Sequence, residues 1–152
     1  MSKPTIYLAG PVMNLEDGGA GWRDDVVEHF GGMYDLLNPL AKYNVPAEDL
    51  DVVDGTSGDC DHTVGVDEIV ERDKSMLRDC DGVLVGYSAV RSIGTPMEVM
   101  WARERDLPVA IWIRDGTPMN DLSPWYRYHA TAMTNSVDMA LRHVEHQAGG
   151  GA

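Results

Sequence analysis

Two carboxylates and one phenol in this sequence could together perform nucleophilic and acid–base chemistry. The first carboxylate, Asp73, lies in the segment 66–77, which has helical periodicity. Apolar residues recur there at the three- and four-residue spacing of a buried helix face: Val66, Ile69, Val70, Met76 and Leu77. Asp73 lies on that face, where an ionised carboxylate is costly unless it has a partner. It is therefore either bonded to a loop or an arginine, or kept for chemistry.

The second carboxylate, Glu98, permits two interpretations. Thr95-Pro96-Met97-Glu98 fits a helix start, with Thr95 as N-cap, proline first and glutamate third, which is a capping box. The same helix follows the apolar strand 82–86 after a short loop, and ligands of open α/β sheets bind at the carboxyl ends of strands. The positive end of the helix would favour an ionised glutamate, the form that a nucleophile requires.

The phenol belongs to Tyr7, in a predicted strand that runs into Gly10-Pro11. A tyrosine hydroxyl in a buried sheet needs a hydrogen-bond partner. That partner is either a backbone group or a carboxylate at an adjacent strand end.

The elements that must position these side chains follow from the alternation of short apolar runs with segments of helical period. Four strands are predicted, at Thr5 to Ala9, Tyr34 to Leu37, Gly82 to Gly86 and Val109 to Ile113. Four helices are predicted, at Gly21 to Phe30, Val66 to Asp79, Pro96 to Arg105 and Ser136 to Gln147. This pattern predicts an α/β fold, a flavodoxin- or Rossmann-like three-layer sandwich with a mainly parallel central sheet.

Composition limits the alternatives. A chain of 152 residues with 43% hydrophobic content predicts one domain, over 1–147, followed by a disordered tail at 148–152. The formal charge of −13 would repel a phosphate backbone, so we expect no nucleic-acid polymer as partner, although a free nucleotide remains possible. The acidity could equally reflect solubility or a salty environment.

The chain shows no secretory leader, no apolar run of membrane-spanning length and only two cysteines, Cys60 and Cys80. We therefore expect a cytoplasmic protein with reduced thiols and no membrane partner. The long segment 38–62 is interpreted as a loop that could cover a substrate. Its acidic stretch 51–55 lacks the alternating oxygen ligands of a calcium loop, so we expect neither a metal nor another cofactor.

Three segments, IYLAGP, VERDKSMLRDCDGVLVG and GTPMEVMWARERDLPVAIW, resemble the nucleoside 2-deoxyribosyltransferase superfamily in order and spacing. The resemblance implies an enzyme that breaks the N-glycosidic bond of 2'-deoxyribonucleosides or their 5'-monophosphates and transfers the deoxyribosyl group to another base. It implies that Glu98 is the nucleophile that forms a covalent glycosyl intermediate. Asp73 would assist proton transfer at the base, and Tyr7 would position Glu98.

The resemblance also implies substrate contacts at the turn Gly10-Pro11, at Gly94 and in the segment 115–123, which contains Asn120 and Ser123. Asn120 matches an asparagine that a neighbouring subunit lends to the sugar site. The resemblance thus implies a homodimer or larger homo-oligomer with a shared active site. A turn residue in a loop rich in glycine and proline is the other interpretation of Asn120. Nearby, Trp125 is the best candidate among the tryptophans for stacking on a base.

One departure from the transferases bears on the substrate. They usually place an aspartate six residues before the glutamate, where this chain has Ser92. Ser-x-Gly-x-x-x-Glu is instead similar to the related nucleotide N-glycosidases, hydrolases that bind a 5'-phosphate through this serine. Arg91 could add a cation to such a phosphate site.

The first loop, however, lacks the Ser-x-Arg-Gly of those hydrolases. The transferase interpretation therefore ranks first and hydrolysis second. A nucleotide-binding module without catalysis is a further alternative.

Overall fold

A five-stranded parallel sheet forms the centre of the computed structural model, which describes residues 3–11, 19–40, 51–53, 63–90, 92–114 and 116–149. The strands are β1 (Thr5–Ala9), β2 (Asp35–Leu37), β3 (Asp51–Val53), β4 (Thr63–Gly65), β5 (Gly82–Tyr87), β6 (Val109–Ile113) and β7 (Ala132–Thr134). The helices are α1 (Ala20–Phe30), α2 (Val66–Asp79), α3 (Gly94–Glu104), α4 (Pro124–His129) and α5 (Val137–Ala148), with a 3-10 turn at Met119–Asp121.

The strand order of the main sheet is β2-β1-β5-β6-β7, and every neighbouring pair is parallel. β3 and β4 form a separate parallel pair. The chain winds outward from β1 to β2 in one direction and from β5 through β6 to β7 in the other. This order is that of flavodoxin-like folds, and the point where the winding reverses lies between β1 and β5.

Successive strand residues point to opposite faces of the sheet, and each face has its own core. One core packs Tyr7, Val83, Val85 and Ile111 with residues of α2 and α3, among them Leu77, Val99 and Ala102. The other packs Ile6, Leu8, Leu84 and Ala110 with residues of α1 and α5, among them Trp22, Val26, Leu141 and Val144. Helices thus cover both faces, and the predicted three-layer α/β sandwich is confirmed.

The eight predicted elements are all present. The bounds of β1, β6 and α2 agree with prediction, and the other five differ by at most two residues at an end. β3, β4, α4 and β7 were not predicted. β3 lies inside the segment interpreted as a loop, so that interpretation was incomplete. No helix in the described ranges is long and apolar enough to cross a membrane.

The buried face of α2 differs from the one that its sequence periodicity predicts. Val66 and Val70 were expected on its buried face, yet both are exposed, whereas Leu77 is buried. Leu77 and Cys80 belong to the core beneath the sheet, with Met76 packed against it. Among the described residues of α2, the fully buried one, Leu77, thus lies near the C-terminal end of the helix.

Candidate active site

The site is built around a hydrogen bond between Tyr7 of β1 and Glu98 of α3, in which the Tyr7 hydroxyl donates to Oε2 of Glu98. Both residues lie by the switch point, since β1 pairs directly with β5 and α3 follows β5 after a short connection. Tyr7 is 1% exposed. Its burial raises the pKa of the phenol far above the ordinary value, and the charges of Glu98 and Asp73 raise it further. The phenol therefore stays protonated and acts as a donor.

The start of α3 tests the capping-box interpretation of Glu98. The helix begins at Gly94, so Thr95 lies in its first turn and is not the N-cap. The Thr95 amide donates to Ser92 Oγ at 3.1 Å, and the two hydroxyl oxygens lie 2.7 Å apart. Ser92 thus takes the capping role proposed for Thr95, and Glu98 bonds to a distant strand residue. The capping-box interpretation was wrong.

Asp73 is half-buried on α2, on the same side of the sheet as Tyr7 and α3. Its charge contributes to the raised pKa of Tyr7, so it lies within electrostatic reach of the Tyr7–Glu98 pair. The structure therefore brings together the three residues singled out for chemistry. Two carboxylates and a neutral phenol on one side of a parallel sheet can supply a nucleophile, a proton carrier and an anchor for the nucleophile.

A second tyrosine near Glu98, Tyr126 of α4, was missed by sequence reasoning. It is half-buried against Tyr87, with ring centroids 5.3 Å apart in an edge-to-face arrangement. Burial raises its pKa, and the charges of Tyr87 and Glu98 add to the shift. Its neighbour Trp125, the best candidate in the sequence for stacking on a base, is 66% exposed and stacks on His129.

Arg23 of α1 was also missed, although it is among the most buried side chains of the described chain. Burial lowers its pKa to about 10, so the guanidinium remains charged at neutral pH. The neighbouring groups Tyr7, Glu98 and Asp73 act in the opposite direction and favour the cation. No pattern in the sequence marks this residue, because its hydrogen-bond acceptors are backbone carbonyl oxygens.

The residues expected to contact substrate lie in different settings. Gly10 and Pro11 are buried after β1, and a Cβ on Gly10 would lie 2.9 Å from the Trp22 ring, so a larger residue would displace that ring. Gly94 is exposed. Asn120 lies exposed in the 3-10 turn, and Ser123, also exposed, caps α4 by accepting from the Tyr126 amide. Arg91 lies outside the described residues.

An open cleft of about 790 Å³ lies at the carboxyl end of β6, on the α1 side of the sheet. It is lined by Trp22, Trp112 and Arg114, among others, but not by Tyr7, Asp73 or Glu98. We place the site at the carboxylates because they provide the reactive groups. Over the described part of the chain, no cluster of three or more His, Cys, Asp or Glu side chains could hold a metal ion.

Two solved structures share this fold. A conserved protein from Enterococcus faecalis V583 superposes with a TM-score of 0.67 at 13% identity, over 96% of this chain and 99% of that one. A 2-deoxyribosyltransferase from Bacillus psychrosaccharolyticus superposes with a TM-score of 0.60 at 16% identity, over 93% and 90% of the respective chains. No protein-family model matches the sequence, and no curated protein matches it either. This chain thus shares the fold of both structures.

Proposed function

We propose that this chain is a nucleoside 2-deoxyribosyltransferase-like enzyme, which breaks the N-glycosidic bond of a 2'-deoxyribonucleoside or its 5'-monophosphate and passes the sugar to another base. The observation that carries the proposal is the Tyr7–Glu98 hydrogen bond at the switch point, with the charge of Asp73 in reach. The Bacillus psychrosaccharolyticus protein with the same fold is a 2-deoxyribosyltransferase.

The hydrogen bond from Tyr7 is the basis on which we assign roles to the two carboxylates. A hydrogen bond to the ionised form of a carboxylate favours that form, and Tyr7 gives such a bond to Glu98. We therefore propose Glu98 as the nucleophile and Asp73 as the group that carries the proton.

In the proposed reaction Glu98 attacks the anomeric carbon, the bond from that carbon to the base nitrogen breaks, and Asp73 gives its proton to the departing base. The product of this step is a glycosyl ester on Glu98. An incoming base then attacks the same carbon, gives a proton to Asp73, and releases the Glu98 carboxylate. The sugar keeps its anomeric configuration because it is displaced twice.

Hydrolysis of a 5'-monophosphate is the second candidate, and the geometry of Ser92 favours it. Ser92 Oγ accepts a hydrogen bond from the Thr95 amide. Thr95 is buried, and its hydroxyl oxygen lies 2.7 Å from Ser92 Oγ. When Thr95 donates its hydroxyl proton to Ser92, the half-buried Ser92 keeps its own proton for a ligand. A hydroxyl donor held at a helix N-terminus suits a phosphate oxygen.

The test is to incubate the protein with deoxynucleosides or their monophosphates, with and without a second base, and to follow the products by chromatography. Base exchange without free sugar supports transfer, and free deoxyribose 5-phosphate supports hydrolysis. Glu98→Gln keeps the shape and a hydrogen-bond acceptor but removes the nucleophile, so it should abolish both activities. Nucleotide binding without any reaction would favour a non-catalytic module.

We also propose that the active site is completed by a second copy of the chain. α3 packs against α4, and these helices, with the residues just before them, expose large apolar side chains: Ile93, Met97, Met119, Trp125 and Tyr128. Asn120 follows Met119 in the 3-10 turn before α4 and is exposed as well. An exposed apolar surface that includes a polar residue expected at the sugar is what a shared site requires.

Subunit complementation tests the shared site. Glu98→Ala and Asn120→Ala homo-oligomers should each be inactive or nearly so, whereas mixed oligomers formed from the two variants should regain activity at a site with both residues intact. Light scattering should show a dimer or larger assembly for the wild type. A monomer, or mixtures no more active than their components, would contradict the proposal.

A further inference from the structure

Arg23 binds the two ends of the segment that joins β1 to α1. Its Nε donates to Leu8 O at 3.3 Å and its Nη2 to Gly10 O at 2.9 Å. Its Nη1 donates to Gly19 O at 2.7 Å. The three acceptors are backbone groups on both sides of residues 12–18, and the side chain is 1% exposed.

The geometry of the sheet explains why these carbonyl oxygens need a donor. Thr5 O accepts from Asp81, on the β5 side, and Pro4 O accepts from Asp35, on the β2 side. Carbonyls alternate along a strand, so Leu8 O and Gly10 O face the β2 side. β2, however, pairs with β1 only as far as Tyr7. Arg23 supplies the donors that a longer β2 would have given.

Gly19 closes the arrangement at the start of α1. Its φ of 81° lies in the left-handed region, which favours glycine. A Cβ there would lie 2.4 Å from Pro11 O and 2.5 Å from Nη1 of Arg23. Glycine therefore lets the two ends of the segment and the guanidinium meet, at the carboxyl end of β1.

The charge of Arg23 has no ion-pair partner among the described carboxylates. Among the described residues, Tyr7, Glu98 and Asp73 favour the Arg23 cation, and Arg114 opposes it. Attraction is mutual, so the Arg23 cation favours ionised carboxylates at the site.

We propose that Arg23 is a positioning residue of the active site, one that ties the backbone at the end of β1 to the start of α1 and favours the ionised form of Glu98 without touching the substrate. The role depends on the proposed function for its catalytic consequence. It goes beyond that function in giving α1 a part in catalysis.

Two substitutions separate the charge from the hydrogen bonds. Arg23→Gln removes the charge, and Arg23→Lys keeps it but loses the planar fork that reaches three carbonyls. In the Gln variant the acid limb of the kcat/KM profile should move up by about one pH unit, because a lost cation makes Glu98 harder to ionise. The Lys variant should keep the wild-type acid limb with a raised KM, since it loses only hydrogen bonds to the backbone at Leu8, Gly10 and Gly19. Arg105→Gln, which removes an exposed arginine stacked on Trp101, is the matched control and should change neither.

The other groups around Glu98 could also move the acid limb. Tyr7 of β1, Asp73 of α2 and Tyr126 of α4 are unchanged in these variants, so a shift seen only in the Gln variant belongs to Arg23. A Gln variant with the wild-type acid limb would overturn the charge role. If the acid limb of the Lys variant moved as far as that of the Gln variant, the hydrogen bonds of Arg23, and not its charge, would set the acid limb. That result would also overturn the charge role.

A second measurement does not depend on turnover. Carbon-13 carboxyl resonances of the protein labelled at glutamate, with Glu98 assigned by its loss in Glu98→Gln, report its ionisation directly. The midpoint should rise in Arg23→Gln and stay near the wild-type value in Arg23→Lys. Unchanged midpoints in a folded Gln variant would refute the role even if the protein proved to be an active transferase. A shift in a protein that turns over no nucleoside would support the charge effect and refute only the proposed function.

Discussion

Tyr7→Phe tests the contact on which the site rests, because it removes one oxygen and keeps the ring in the core. A hydrogen bond to a charged group contributes about 1.5–3 kcal/mol to stability. Two effects reduce the loss in this variant: the desolvation cost of the buried phenol disappears with its oxygen, and the half-buried Glu98 can take a water instead. We therefore expect the free energy of unfolding to fall by about 1 kcal/mol, which lowers Tm by roughly 2–4 °C in a domain of this size.

The effect on turnover should be larger than the effect on stability. In the proposed reaction Glu98 approaches the anomeric carbon in one orientation, and loss of its hydrogen bond to Tyr7 lets the carboxylate adopt others. If the lost orientation costs about 1–2 kcal/mol in the transition state, kcat/KM falls roughly 5–30-fold. The acid limb of the profile should also move to higher pH. The acid limb moves in this direction because the Tyr7 phenol stabilises the ionised Glu98 carboxylate. Without the phenol, a higher pH is needed to ionise Glu98.

The assay is a double-mutant cycle in chemical denaturation, with Tyr7→Phe, Glu98→Ala and the double variant. Residues that interact show a coupling free energy of about 0.5–3 kcal/mol, whereas independent residues add to within roughly 0.5 kcal/mol. We expect a coupling of about 1 kcal/mol. Additive effects on unfolding, or a Tyr7→Phe enzyme with wild-type kcat/KM and an unmoved acid limb, would refute the argument for an anchored nucleophile.

Three further predictions test the surrounding structure. Gly86→Ala should be destabilising, because the new Cβ would lie 2.8 Å from the Trp22 ring; circular dichroism melts measure the loss, which we expect at about 1–3 kcal/mol. Ser92→Ala leaves the Thr95 amide without its acceptor and should cost about 1 kcal/mol in urea unfolding; an unchanged midpoint would contradict the assigned cap. Burial raises the pKa of Cys80 from 9.0 to about 11, so the thiol of the unfolded chain loses its proton at a lower pH than that of the folded chain. The free energy of unfolding should therefore fall as pH rises between about 9 and 11. Cys80→Ala, compared with the wild type at each pH, should remove that part of the pH dependence.

The contact between Tyr7 and Glu98 could be anticipated from sequence because a parallel sheet brings the carboxyl ends of its strands to one edge. A buried tyrosine at one strand end and a carboxylate after another are then neighbours, although 91 residues separate them. The capping-box pattern competed with this inference and used only local spacing. The capping-box interpretation was wrong because the helix starts at Gly94 and the Thr95 amide donates its hydrogen bond to Ser92 Oγ.

What sequence reasoning missed has two physical causes. β3, β4 and β7 are three residues long, too short for alternation or periodicity to show. Arg23 is an arginine whose acceptors are main-chain oxygens, and any sequence provides those. Its importance arises from the early end of β2 and the left-handed Gly19, two features of backbone geometry that residue type alone does not reveal.

Arg23 also helps to explain how negative charge can pass from Glu98 to Asp73 in a buried site during the proposed reaction. Before the sugar is attacked, an ionised Glu98 and a protonated Asp73 carry one negative charge between them, which offsets the Arg23 cation. After attack, Glu98 is a neutral ester and Asp73, having given up its proton, holds the negative charge. The net charge of the three residues is the same in both states, so the step requires no new charge to be taken out of water. In Arg23→Gln both states carry an anion that no Arg23 cation offsets, so protonation of Glu98 becomes more favourable. The variant should therefore lose activity at acid pH before it unfolds.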